Sequence, residues 1–363
     1  MKMFRRNQGP RPRRMNVFGF AVLIGLVVFT AGCVISPRRI VGGGTGNQTG
    51  PTPTPTPTSG AQGKLYVANP STNSIVRFDN AAKAGGNLAP AATISGSLTQ
   101  LSFPQHIFVD AAADRLFVAN QGGTSVLVFD AISTKSGNVA PARSISGAST
   151  GIILPTDLAV DSGKNLLYVA DGRDVFVFGA ASTVSGNTPF THDIQVGFVV
   201  AALFLDATND RLYLADSAAN AINVYDNAST LNSKVAPSRA LTGAATQLST
   251  PSGVAIDAVG KLVVSNSGGN SITVYVNAGA LNGNIPPAAL ISGANTTLSG
   301  PAQIAVNRSN TLVELFVANP NGPNVPIFSN LGGTAGNIAP SRNISGAATT
   351  LALPGGITLD TTR

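Results

Sequence analysis

The chain has 363 residues, only 11% of them charged, with 40 glycines, 23 prolines and a single cysteine. Its formal charge of +7 is crowded at one end: eight of the 23 basic residues precede Ile40 and no acidic residue does, so the other 15 face 16 carboxylates, a net of −1. That near-neutral body excludes a phosphate-neutralising surface, and with it nucleic-acid binding, while one cysteine excludes an internal disulfide.

A basic stretch ends at Arg14, an apolar run follows from Val17 to Phe29, and Thr30-Ala31-Gly32-Cys33 comes next. This order resembles a bacterial lipoprotein signal peptide, in which small residues before the cysteine permit cleavage once the thiol is lipidated. The resemblance implies residues 1–32 as the signal, Cys33 as the lipidation site and membrane anchor, and a place in the bacterial cell envelope. Val34 after the cysteine favours, by the same resemblance, an outer membrane. Thr30 departs from the branched apolar residue usual at its place, and an uncleaved anchor or an ordinary secretory signal are the alternatives. Residues 33–63 carry no strand or helix period. Gly42-Gly43-Gly44 is permissive, and the Pro-Thr alternation from Pro51 to Thr58 restricts the backbone to polyproline-like conformations. A disordered tether is expected there, with a reach of at most about 90 Å at ~3.1 Å per residue.

From Lys64 onward one unit recurs six times. Its landmark is Leu65-Tyr66-Val67-Ala68-Asn69, repeated with changes from Leu116, Leu167, Leu212, Leu262 and Leu315, at spacings of 51, 51, 45, 50 and 53 residues. Each unit holds four strand candidates. The first is short and apolar and usually follows a proline, as in Leu158 to Asp161. The second is the landmark. The third places Phe78, Phe129, Phe178, Tyr225, Tyr275 or Phe328 at equivalent points, expected as core between units. A connector typified by Gly137-Asn138-Val139-Ala140-Pro141 leads to a short fourth, such as Ser144-Ile145-Ser146-Gly147. Units of this length cannot bury their own apolar faces, so they must pack against one another.

Four antiparallel strands per unit fit a propeller blade. The first unit lacks its first strand, whereas the last residues supply a spare one, Gly356-Ile357-Thr358-Leu359-Asp360. Setting that segment beside Lys64–Asn69 gives an all-β, six-bladed β-propeller over residues 64–363, closed by its C-terminal strand with no open sheet edge. Pro155-Thr156-Asp157-Leu158-Ala159-Val160-Asp161 followed by Leu167-Tyr168-Val169-Ala170-Asp171 resembles the NHL-type and related bacterial β-propellers. The resemblance speaks for the fold; binders, lactonases and lyases all use it. Pro326, inside a third strand, departs from the pattern because it removes a ladder donor.

Positions that repeat in every blade read as structural: the Asn or Asp ending each second strand is expected to cap its own turn, and the Asp ending each first strand its hairpin. Positions that differ are more informative. Four residues before the end of each first strand, at the expected mouth of the central channel, stand His106, Asp157, Ala202, Gly253, Gln303 and Gly356. His106 and Asp157 fall on adjacent blades. A histidine oriented by a carboxylate is a candidate general base; the alternatives are a solvated rim pair or a channel plug. Gln303 is a candidate ligand contact at the same level. Between blades 3 and 4 the loop shrinks to Val196-Gly197-Phe198-Val199-Val200-Ala201-Ala202, leaving a notch that either docks an apolar group or is filled by Phe198. His192 is expected near the surface. No protein metal set is expected, since the lone glutamate, Glu314, lies away from the mouth, although a calcium ion in the channel stays open. No nucleophile elbow, zinc-binding helix or phosphate loop is present. The expected function is therefore a binding or scaffolding module for a protein, peptide or glycan, with a lactonase or lyase acting at the channel mouth as the alternative.

Overall fold

The computed structural model describes residues 63–307, 313–331, 333 and 335–363. Cys33, the signal segment and the tether lie outside them. Among the described residues no helix is long and apolar enough to cross a membrane.

The strands form six antiparallel sheets arranged as the blades of a propeller. Blade 2 shows the pattern, with Pro104–Asp110 innermost, then Arg115–Asn120, Ser125–Asp130 and Arg143–Ile145 outermost. Blade 1 is composite. Its innermost strand is Ile357–Asp360, antiparallel to Lys64–Asn69 with Lys64 opposite Asp360 and Val67 opposite Ile357. The C-terminal strand thus closes the ring, as expected. Each first strand runs from an upper end, which carries the loops from the preceding blade, to a lower end at its terminal Asp or Asn. Gly63, the first described residue, sits at the lower end, where a Cβ on it would lie 3.3 Å from the Asp360 carbonyl.

The apolar residues sort into six clusters, one per junction between neighbouring blades. The repeated third-strand aromatics distribute one to each: Phe129 between blades 1 and 2, Phe178 between 2 and 3, and so on to Phe78 at the seam. All six are at most 1% exposed, so each contributes roughly 1.5–3 kcal/mol of burial. Because a blade supplies half of two clusters and all of none, blades cannot fold singly.

The connectors do more than join strands. In each of five junctions the Gly-Asn of one connector bridges in parallel to the outer strand of the preceding blade, as Gly137 does to Ile94 and, across the seam, Gly86 to Ile344. The asparagine then accepts a backbone N–H from that blade's upper loop: Asn138 Oδ1 from Leu98 at 2.8 Å, Asn87 Oδ1 from Ala348 at 2.8 Å. The glycine facing it adopts φ near +115°, and a Cβ there would fall within 2.6 Å of the asparagine side chain. These latches cover the outer edges, which would otherwise offer free ladder groups. Pro326 has the expected local cost: its strand pairs with the second strand over only three residues, where blade 2 pairs over six.

Candidate functional site

Adjacent first strands converge at the upper end because two of the six positions lack a side chain. A Cβ on Gly356 would lie 2.7 Å from the Cα of His106, and one on Gly253 would lie 2.6 Å from the Ala302 carbonyl. The backbones therefore approach to contact and the channel narrows there.

His106, Asp157 and Gln303 fill what remains. The structure brings all three together, including Gln303 from the blade diametrically opposite Asp157. Its Nε2 donates to Asp157 Oδ2 at 2.6 Å, and the Leu203 N–H donates to the same oxygen at 2.7 Å. Oδ1 accepts the Leu158 N–H at 2.6 Å. His106 Nδ1 stands 2.5 Å from Oδ1 without the geometry of a directed ring N–H bond. Asp157 is fully buried and its two partners nearly so. A buried carboxylate must be hydrogen-bonded, and here three donors satisfy it. Of the alternatives open in the sequence, the arrangement is a channel plug; a solvated rim pair is ruled out by the burial.

Below the plug lies a cavity of about 350 Å³, lined by the first strands from His106 and Gln303 down to Leu359 and Thr361. Its wall is largely aliphatic, with Phe108 and Phe204 at mid-depth, and His106 is the one titratable side chain on it. Among the described residues no three His, Cys, Asp or Glu side chains converge as a metal ion would need.

The terminal Asp residues of the first strands hold their hairpins as expected; Asp257 Oδ1, for example, accepts from Lys261 N at 2.8 Å. The Asn or Asp ending each second strand is also structural, but by another route. Instead of capping its own turn it clamps the upper loop of its own blade. Asn120 accepts from Ser102 N at 2.7 Å and donates to the Gln100 carbonyl, and Asn319 does the same to Ser299 and Thr297. Asp171 has only acceptors, and one oxygen takes the N–H groups of both Ile153 and Leu154 at 2.7 and 2.8 Å. Burial raises its pKa, and those two donors pull it back. Only Asp216, in the blade with the shortened loop, caps its own turn, through Ala218 and Ala219.

Phe198 turns inward and packs against the cluster between blades 3 and 4, so it fills the notch. Val199, beside it, is exposed. His192 lies on the outer strand of blade 3, half-buried. Sequence reasoning missed one feature of this face: Phe103, Ile153, Leu154 and Val199, at corresponding places on blades 2 to 4, are all exposed. Blades 5 and 6 carry Ser249-Thr250 and Ser299-Gly300 at those places. Phe103 also has φ +48°, as Thr250 and Gly300 have +52° and +59°, a conformation that costs a bulky residue about 1–2 kcal/mol. Comparing upper loops between blades would have found this asymmetry.

The fold and site together define a six-bladed β-propeller with a plugged channel. No protein-family model and no curated protein matches the chain. Among solved structures it is similar to a functionally unknown protein from Desulfotomaculum acetoxidans DSM 771, with 11% identity and a TM-score of 0.53 over 82% of this chain and 98% of that one. It is likewise similar to a chain of a nidogen/laminin complex, with 13% identity and a TM-score of 0.56 over the same shares. At such identities the likeness concerns the fold alone.

Proposed function

We propose that this chain is a lipid-anchored binding module of the bacterial cell envelope, tethered through Cys33 and residues 34–63, whose propeller, with NHL-like repeats, engages a protein, peptide or glycan. One observation supports the reading: Asp157, the carboxylate at the channel, is spent on structure through Leu158, Leu203 and Gln303. Replacing Cys33 by Ala tests the anchor: the protein should leave the membrane fraction and lose incorporation of labelled palmitate. An unchanged membrane fraction sinks it.

A lactonase or lyase reading keeps one fact on its side, a histidine on the cavity wall with a carboxylate 2.5 Å from its ring. Lactone and cyclic-ester turnover by the parent and by His106→Ala decides it: activity that is absent, or equal in both, removes the enzyme.

A further inference from the structure

The cavity below the plug is unevenly walled. Two residues further along the first strands than the plug level stand Phe108, Ala159, Phe204, Ala255, Ala305 and Thr358, all of them on its wall. The two rings belong to blades 2 and 4, whereas the consecutive blades 5, 6 and 1 offer Ala, Ala and Thr. The space of about 350 Å³ therefore widens toward those three blades, across from the phenylalanines. Alternate residues of a strand share a face, so Gln303, two places before Ala305, roofs the small-residue side on its way to Asp157. Phe108, Phe204 and Thr358 are half-buried, so solvent reaches the wall.

Polarity is confined to one end. Among the described residues the polar side chains on the wall are His106 and Gln303 beneath the plug, Thr358 at mid-depth and Thr361 at the lower end. Thr358 Oγ1 already accepts the Val109 N–H at 3.3 Å. His106 and Gln303 are 8% and 7% exposed, and each commits one polar atom to Asp157, Nδ1 and Nε2 respectively. Their other polar atoms, His106 Nε2 and Gln303 Oε1, have no hydrogen-bond partner among the described residues and are not sealed from solvent. A ring nitrogen 2.5 Å from a carboxylate oxygen carries its proton, because two lone pairs would repel at that separation. In the neutral ring Nε2 is then an acceptor, as the amide oxygen of Gln303 is. Two unused acceptors thus abut the same carboxylate at the head of an apolar space.

We infer that this cavity binds a small apolar molecule bearing one hydroxyl, which donates to His106 Nε2 or Gln303 Oε1 while the body lies against Ala255, Ala305 and the two phenylalanines. Size and lining are those of small-molecule sites, mostly apolar with a few placed polar groups. At ~30 Å³ for each water-sized group, the volume accommodates about a dozen non-hydrogen atoms. A carboxylate head fits less well, since it would bring lone pairs to two acceptors beside the charge of Asp157. A peptide or glycan chain is too large. The site is therefore distinct from whatever macromolecule the propeller engages, and it rests on neither of the readings above.

The probe is 2-naphthol, which has the required size and a single hydroxyl, titrated into the full chain and followed by its fluorescence and by calorimetry. For a molecule of this size a Kd on the order of 0.1–1 mM is expected. The isosteric 2-methoxynaphthalene, which cannot donate, should bind about tenfold more weakly. His106→Phe keeps a ring and removes Nε2; it should weaken 2-naphthol severalfold and leave 2-methoxynaphthalene unchanged. Ala305→Leu fills the small-residue side and should abolish binding of both. Each variant must keep the parent's urea midpoint, with His106→Leu and Ala255→Val as replacements if the first pair does not fold. The inference is overturned if 2-naphthol shows no saturable binding up to about 1 mM, or if it binds Ala305→Leu as it binds the parent. Equal affinity for the ether, or for 2-naphthoate, also overturns it, because the head recognised would then not be a donor. None of these results bears on the Cys33→Ala fractionation or on lactone turnover, so the readings fail separately.

Discussion

Replacing Asp157 by Ala separates a structural tie from a catalytic carboxylate. The substitution strands three donors at a buried position: the N–H groups of Leu158 and Leu203 and the Nε2 of Gln303. A buried donor left unpaired costs about 1–3 kcal/mol, and breaking a buried charged pair by removing one partner about 3–5 kcal/mol. We expect a loss of about 4 kcal/mol, because water entering the vacated space rescues part of the sum. At about 2.1 cal/mol/K of unfolding entropy per residue, a propeller of some 300 residues shifts by roughly 1.6 °C per kcal/mol, so the melting temperature should fall by about 6 °C. Gln303→Ala leaves the carboxylate its two backbone donors and should cost only about 1–2 kcal/mol. Urea unfolding followed by circular dichroism measures both. If Asp157→Ala costs less than about 1 kcal/mol, the carboxylate is not holding opposite blades together, and the plug reading is wrong.

Three further outcomes follow from the same geometry. Gly346→Ala forces a Cβ into a φ of +111° and to within 2.5 Å of Asn87 Oδ1, so it should cost about 2–4 kcal/mol. In an Asn87→Ala background the cost should shrink by at least 1 kcal/mol, and additivity in that double-mutant cycle would refute the latch. Burial pushes the phenols of Tyr225 and Tyr275 up to about 12 and those of Tyr66, Tyr168 and Tyr213 upward as well. An acid whose folded pKa lies above its unfolded value of ~10 adds stability that is complete below pH 10 and is lost as pH rises from 10 through 12. Each tyrosine then removes about 1.4 kcal/mol per pH unit. Absorbance at the phenolate band should therefore rise in one cooperative step together with the loss of circular dichroism; a smooth titration near pH 10 with the fold intact would contradict the burial. Finally, deleting residues 355–363 removes the innermost strand of blade 1 and the Arg363–Asp114 ion pair, 2.5 Å long. The truncated chain should unfold at least 10 °C lower, and an unchanged melting curve would mean that this strand does not close the ring.

Much of this was legible because repetition exposes it. Six landmark strands at nearly constant spacing, a missing first strand and a spare last one dictate the blade count and the seam without coordinates. The unlike residues at the channel level, His106, Asp157 and Gln303, were legible as a set for the complementary reason: ring symmetry does not account for them. Their chemistry was not. Whether a histidine and a carboxylate on neighbouring blades form a base or a plug depends on how many other donors reach the carboxylate, and the deciding donor, Gln303, arrives from the far side of the ring. The asparagines ending the second strands were also read one step short, since clamping a loop about 20 residues earlier and capping the next turn leave the same letter in the sequence.

The junction between blades 3 and 4 shows why local reading stops where it does. The loop lost after blade 3 removes the Ser-Gly-Ala segment, so no glycine at φ near +115° is left there to receive a latch. Some 35 residues later the Gly-Asn of the matching connector becomes Ser233-Lys234. Ser233 still pairs in parallel with Ile194, and Asn232, one place earlier, accepts the Asp193 N–H at 3.0 Å, as Asn282 accepts the Ala240 N–H in an intact junction. Two departures that look independent along the chain are thus one structural event: where the shortened loop offers no N–H to hold, the connector position that holds it elsewhere is Lys234, while the edge contacts of Asn232 and Ser233 persist.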